Sequence, residues 1–431
     1  MSKKQSIIAA LEEFEQEVAS ELTAETPDVE QVVAESDSIT DESEKIDEDV
    51  EALASSGDAL ESIIALVRDT PIPMNKPLDK FSMRAVKVAL ESKDVLASAG
   101  GGALVTTADK GETKKDFLDK AKEFAKKIWE ALASMAAKVL EWIKATWAKV
   151  TDRLVKNSNR AKKHLETISS INSRSGAKIE DANILKAVAN AKGEDVGDVV
   201  LAVFEHAKRQ SKKESFEVAR QAGLLVEAVA SGTSNNEQLI EQFVETLAKA
   251  GGEWSGEASA EQAQAIKAPA GCKVLVSDSF FGGKLAWLVV PENADALHLW
   301  NHGLSDVDKV KEINDAAPDV NELKAICEYI AQGQSLIKEY QAATKPLDEL
   351  SQKLKSAISK EKGEGDKKLV RAMQSVIPRI VKGPQVTAYN YAGTASSIAL
   401  AYVEAALAAH QKTPDAKSTT DRAGDGKDNA K

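Results

Sequence analysis

The sequence predicts a mainly α, elongated multi-helix protein with one small β-hairpin, and three observations carry that prediction. Alanine supplies 66 of the 431 residues and aromatics only 5%, a mixture that favours packed helices over sheet. Residues 113–163 repeat apolar side chains at a helical period with hardly a break. Paired β-rich runs with a glycine turn between them stand near 273–290.

The first element is an acidic block. Residues 1–91 hold 22 Asp/Glu against 8 Lys/Arg, a net of −14 within a chain of net −12. Few aromatics and many Ser and Thr leave too little apolar surface to offset chain ordering. The block is therefore expected to be a largely disordered leader, with 22–58 unstructured. Ile7, Ile8, Leu11, Phe14 and Val18 recur at helical spacing, and a second short helix is expected from Asp58 to Val67. Pro71, Pro73 and Pro77 break the chain before a helix at about 82–90. Ser98-Ala-Gly-Gly-Gly102 marks a flexible joint over 92–112.

The long helix comes next, from Thr113 to about His164 within 113–165. Leu118, Ala125, Trp129, Leu132, Ala136, Leu140, Ile143, Trp147, Val150 and Leu154 fall on one stripe. Lys120, Lys122, Lys126, Lys127, Lys138, Lys144 and Lys149 lie mostly off it, and 113–163 carries a net of +8. Three roles fit this segment: packing core, phosphate contact through the lysines, or a membrane-surface helix.

The helical region 166–252 reads as three or four helices over 181–250, marked by Ile184/Leu185/Val188, Val199/Val200/Val203/Phe204 and Phe243/Val244/Leu247. The region 263–411 opens with the hairpin, Lys273–Ser277 and Lys284–Val290 around Phe281-Gly-Gly283, which Pro291 should stop. Pro318 and Pro346 suit first helical turns. Pro378 should kink or end a helix, and an alanine-rich helix is expected from about Thr394 to His410. The polar residues 412–431 read as a disordered tail.

Catalytic signatures are missing from the sequence: no Walker loop, dinucleotide fingerprint or Gly-x-Ser-x-Gly elbow occurs. His298 and His302 are four apart, a spacing that could face a metal from a helix, but no third ligand is evident. They read as ordinary loop or core histidines. Cys272 and Cys327 read as buried free thiols. No run of 18 apolar residues and no secretory signal is seen, so no membrane span is expected. The expectation is a non-enzyme without catalytic residues, metal, cofactor or small-molecule substrate.

Four Ala-x-Glu triplets stand in the acidic block, ending at Glu12, Glu21, Glu61 and Glu91, where chance predicts about two from 14 glutamates. The 26 later glutamates give one, Ala121-Lys-Glu123. The motifs Ala59-Leu-Glu61 and Ala89-Leu-Glu-Ser92, with the Trp/Lys helix Lys127-Ile-Trp-Glu-Ala-Leu-Ala and Leu140-Glu-Trp-Ile-Lys144, resemble internal head (inner-body, prohead core) proteins of giant tailed, phiKZ-like bacteriophages. That resemblance implies a virion structural protein made with an acidic propeptide. A prohead protease would cut it after glutamate, at Glu12, Glu21, Glu61 and Glu91. The remainder would stay in the capsid interior with other capsid or core proteins and non-specifically bound DNA, and some members of the family are ejected. Loss of 1–91 leaves a net charge of +2. The alternative is a membrane-active or injected effector acting through 113–163. Residues 1–60 are expected to be dispensable for folding, and Trp129 and Trp147 are not.

Overall fold

The computed structural model describes residues 28–91, 113–171, 173–210, 213–231, 236–247, 254–343 and 367–411, with the single positions 349 and 353. The expectations for 7–18, the glycine joint, the helix after Pro346 (349 and 353 apart) and the tail 412–431 lie outside these residues.

The first finding is a correction. Where composition predicts disorder over 22–58, residues from Val29 onward form α1, Val29–Arg68, a helix of 40 residues. Asp28 caps it, its carboxylate accepting from the amides of Glu30 and Gln31. The helix buries a mixed face: Ser36, Ile39, Ser43, Asp47, Val50, Ser56, Gly57, Ala59, Leu60, Ile63 and Val67. Few of these are large and apolar, so the face is inconspicuous in the sequence. Such a composition stays disordered only where the chain lacks a surface to dock on, and the rest of the molecule provides one. A short helix, α2 (Lys80–Glu91), follows.

The long helix is unbroken. α3 spans Lys114–Ile168, 55 residues, about 82 Å at 1.5 Å per residue. A reciprocal capping box of Thr113 and Asp116 starts it. Of the expected stripe, Leu118, Ala125, Trp129, Leu132, Ala136, Ile143, Val150 and Leu154 are buried, while Leu140 and Trp147 are half-buried. Four helices follow: α4 (Ala182–Ala187), α5 (Val196–Gln210), α6 (Lys213–Ser231) and α7 (Asn236–Leu247).

The expected hairpin is the centre of a larger unit, an antiparallel sheet in the order β1-β2-β3-β4. Its strands are β1 (Gly256–Glu257), β2 (Cys272–Val276), β3 (Lys284–Pro291) and β4 (Asn301–Asp306), with a short helix α8 (Ala260–Ala265) after β1. Val274 pairs with Val289 and Val276 with Trp287. Gly282 and Gly283 turn the chain at φ 70° and 72°, backbone that glycine adopts without strain. One face of the sheet joins Val274, Val276, Leu285 and Val289 in a small cluster with Ile266. Leu288 and Val290 face the main body.

α9 (Val320–Ala331) is capped by Asp319, not opened by Pro318, and α10 (Gly333–Ala343) continues from it. α11 spans Lys367–Gln411 and corrects two expectations. Pro378 lies inside a continuing helix, and the break falls five residues later at Gly383 (φ 57°, ψ 154°). The helix expected from Thr394 therefore resumes ten residues earlier, at Pro384, whose missing N–H costs nothing in a first turn. By length and composition Val376–Gln411 could cross a membrane, but 83% of its most apolar window is buried in the protein, as a core helix requires.

α3 and α11 form the spine, and α1 lies against both. Three apolar clusters succeed one another along α3. Among the described residues, the cluster around Phe117 to Met135 of α3 is completed by α1, α2 and the segment between them. Ala136 to Ile143 packs with α6, α7, the sheet and the first part of α11. Val150 to Ile168 packs with α5, α9 and the second part of α11.

Candidate processing sites and nucleic-acid interface

The four expected cleavage glutamates fall in different settings. Glu12 and Glu21 lie outside the described residues. Glu91 ends α2 and borders the 92–112 segment. Glu61 is inside α1, and its motif is packed: Ala59 is 2% exposed and Leu60 fully buried. The Glu61 carboxylate accepts from Trp129 Nε1 at 3.2 Å. That indole lies over Gly57, where a Cβ would come 2.5 Å from Trp129 Cζ2. Gly57 and Glu61, one turn apart, thus seat Trp129. A protease that needs an extended strand would have to unwind this helix first. A disordered leader would leave the Ala59-Leu-Glu61 motif open, whereas here the segment is docked and the motif is packed.

The end of α1 is tied to the start of α3. Lys114 is buried, and its ammonium donates to the carbonyls of Arg68, Thr70 and Ile72 at 2.9, 2.8 and 3.1 Å. A cation here satisfies carbonyls that the helix terminus leaves open and complements its dipole.

The seven lysines singled out in the sequence are all exposed. At 100° per residue they divide into two rows. Lys120, Lys127, Lys138 and Lys149 share one line, and Lys122, Lys126 and Lys144 another. The second row borders the buried stripe, and the first lies towards the opposite side of the helix. Asp119, Glu123, Glu130 and Glu141 occupy the ridge between them, and Lys127–Glu123 (2.8 Å) and Lys126–Glu130 (3.7 Å) pair across it. Hydrogen bonding to Glu123 raises the Lys127 ammonium above its usual value. The lysines therefore form two basic edges and not one continuous face.

A second set of cations is hidden under the first half of α1, and the sequence reading missed it. Arg153 of α3 meets Glu35 at 2.9 Å and also donates to Thr394 Oγ1 at 3.0 Å. Lys284, at the start of β3, lies 3.1 Å from Asp37 and 3.2 Å from Asp306. Lys382, beside the break in α11, is buried and bonds Asp47. Arg379 sits 3.9 Å from Asp47 and 3.8 Å from Glu51, and donates to the carbonyl of His298 at 2.6 Å. Trp142 Nε1 donates to Glu42 at 2.9 Å. Burial pushes the Lys382 ammonium below its usual range, and Asp47 counteracts this. Burial also lowers Lys284, but Asp306 and Asp37 outweigh it and the net shift is upward. The signal that could have revealed this set is weak: an acid recurring on the face of a helix that also carries Ile39, Ile46 and Val50.

His298 and His302 do not share a helix face. His298 stands in a 3₁₀ turn and His302 in β4, buried, its Nε2 3.2 Å from the Arg379 carbonyl. Among the described residues no group of three or more His, Cys, Asp or Glu is placed to hold a metal ion. Cys327 is buried and Cys272 partly so.

Residues 24–405 match the family model of phiKZ-like phage internal head proteins. No curated protein matches the chain, and no solved structure does.

Proposed function

The chain belongs to the phiKZ-like phage internal head proteins, a structural component inside the phage head that associates with other head components, and from that premise we propose how its two charged helices serve assembly. The acidic block acts as a propeptide. The first cut falls after Glu91, where α2 ends, and Ser92 becomes the new N-terminus. Cuts at Glu12 and Glu21 precede or accompany it. The cut at Glu61 comes last, because it needs α1 unwound. The remainder stays with packaged DNA, which it meets through the two lysine edges of α3 without sequence preference. Ejection with the DNA is compatible with this arrangement.

The observation that carries the reading is the opposition of charge. α1 holds 12 Asp/Glu against 2 Lys/Arg, and α3 holds 14 Lys/Arg against 7 Asp/Glu. Removal of 1–91 turns an acidic protein into one of net +2. The membrane-effector alternative draws less support, because the apolar stripe that a bilayer would take up is already packed.

Mass spectrometry of purified particles tests the proposal. Peptides beginning at Ser92 should be abundant and those from 1–91 scarce. Full-length chain in mature heads would sink it. If the order of cuts is right, immature heads should contain intact 22–91 fragments before any peptide that ends at Glu61 or begins at Ser62.

A further inference from the structure

The first half of α1 covers a slot whose walls carry the four cations Arg153, Lys284, Arg379 and Lys382 and the indole donor of Trp142. Every one of them meets an acid of α1 between Glu35 and Glu51. That stretch covers about 24 Å at 1.5 Å per residue. Asp47 is enclosed with its cations, whereas Glu35, Asp37, Glu42 and Glu51 reach the walls from a partly exposed rim, and together these acids satisfy a basic surface that the other elements build. Alongside the first turns of α1 a groove of about 460 Å³ stays open, its lining mostly apolar (Val29, Val33, Phe281 and Ile398) with Lys186 and Lys284 as its cations and Glu30 and Asp37 as its acids. A line of cations satisfied by carboxylates, continued by an open, mostly apolar groove, offers the backbone-tracking charge of a single-strand nucleic-acid site.

We propose that this slot binds one strand of nucleic acid through its phosphates, and that the first half of α1 is its built-in competitor. The space one helix vacates suits a strand, since an α-helix with side chains is about 10–12 Å across, less than the breadth of a duplex. The geometry also allows exchange. The second half of α1 is fixed by apolar packing and by Lys114, so the first half can peel away from its N-terminal end while the helix stays anchored. An incoming phosphate chain then replaces carboxylates one for one, and no cation is left bare.

The inference rests on the reading of the protein as a DNA companion, but its residues differ from the exposed lysines, so the two can fail separately. The test uses the full chain and fluorescence anisotropy with a thirty-nucleotide oligo-dT, at low salt. Removing the competitor charges (Glu35→Gln, Asp37→Asn, Glu42→Gln) should tighten binding about tenfold. A control with the same change in net charge, at exposed acids of α1 (Asp41→Asn, Glu48→Gln, Asp49→Asn), should gain much less. Adding Arg153→Gln and Lys284→Gln to the first variant should abolish its gain. Equal gains in variant and control, a gain that survives the slot substitutions, or no binding by any form would overturn the proposal. A duplex of the same length that gains equally would overturn the assignment to a strand. Lys120→Gln, Lys138→Gln and Lys149→Gln probe the exposed edges instead, and unchanged binding there with the slot gain intact would sink only the lysine reading. Hydrogen exchange on the wild-type chain guards against misfolded variants. Oligo-dT should speed exchange over 29–51 and leave 53–67 unchanged, and unchanged exchange over 29–51 would count against the slot.

Discussion

The two halves of α1 are one continuous helix held by different physics. From Glu35 to Glu51 the contacts are mostly ionic: carboxylates meet Arg153, Lys284, Lys382 and Arg379, with Ile39 and Val50 as apolar points between them. From Ala59 to Val67 the contacts are apolar: Ala59, Leu60, Ile63 and Val67 close against Phe117, Leu118, Ile128, Trp129 and Leu132. The first half can exchange its partner for another anion, whereas the second half cannot leave without baring a third of α3. A cut after Glu91 would therefore sever the propeptide without detaching it. A particle that loses 29–91 must also unwind α1 or re-cover the exposed stripe.

The largest expected effect breaks the second half. Trp129→Ala removes a buried indole with its hydrogen bond to Glu61, and such truncations cost about 3–5 kcal/mol. Denaturant melts should show that loss. The earlier expectation that 1–60 is dispensable is revised by the same packing: deleting 29–60 should lower the melting temperature markedly, and an unchanged melt would show that α1 is not part of the core.

Asp47→Ala attacks the first half at its most buried point. It strands the Lys382 ammonium, and breaking a buried pair at one end costs about 3–5 kcal/mol. The double change Asp47→Leu with Lys382→Met should recover most of that, since the pair itself contributes little net stability. A double variant as unstable as the single one would mean that Lys382 serves a partner other than Asp47.

Acid should also separate the halves. Burial holds His302 well below its usual value and His206 at about 3, so both are neutral in the folded protein. Unfolded, each takes a proton below about 6.5. The unfolded state then binds more protons, so stability is complete above that pH and falls as pH drops towards about 3. The slope is at most about 1.4 kcal/mol per pH unit for each histidine. His302 sits beside Arg379 and Lys382, while the Trp129 cluster contains no histidine. Exchange measured at pH 5 should therefore rise over 29–51 before it rises over 59–67. His302→Asn should remove part of the difference.

What the sequence revealed follows the same division. α3 was legible because large apolar residues repeat on one side for 55 residues, and the hairpin because glycines stand between two β-branched runs. Of α1 only the stretch Asp58–Val67, expected as a short helix, was legible; the rest was not, because buried positions such as Ser36, Ser43, Asp47, Ser56 and Gly57 are small or polar. Small and polar residues suit a face that must approach an indole closely or meet buried cations, yet composition counts them as signs of disorder. The Ala-x-Glu motifs were visible, but the packing of Ala59-Leu60-Glu61 was not, since it depends on Trp129 arriving from 68 residues away. The slot cations come from α3, β3 and α11, a convergence that tertiary structure alone creates.

Gly57→Ala gives a test of sign. In an open helix the change gains roughly 1 kcal/mol of propensity. Here the new methyl would meet Trp129 at 2.5 Å, and overpacking of that kind costs about 1–3 kcal/mol. The net expectation is a loss of about 1 kcal/mol, and a gain in the melt would place Trp129 elsewhere.

The smallest expected effect belongs to the rim of the first half. Glu35 is half-exposed in its pair with Arg153, and exposed pairs are worth about 0.2–1 kcal/mol. Glu35→Gln should therefore shift the melt only slightly. Its informative readout is salt. At 0.1 M the screening length is about 10 Å and at 1 M about 3 Å, so high salt should weaken the ionic half in the wild type and scarcely touch the apolar one. In Glu35→Gln, exchange over 29–38 should already be fast at low salt and change little when salt is added. If wild type and variant respond to salt alike, Ile39 and Val50, and not the carboxylates, hold the first half in place, and the distinction between the halves disappears.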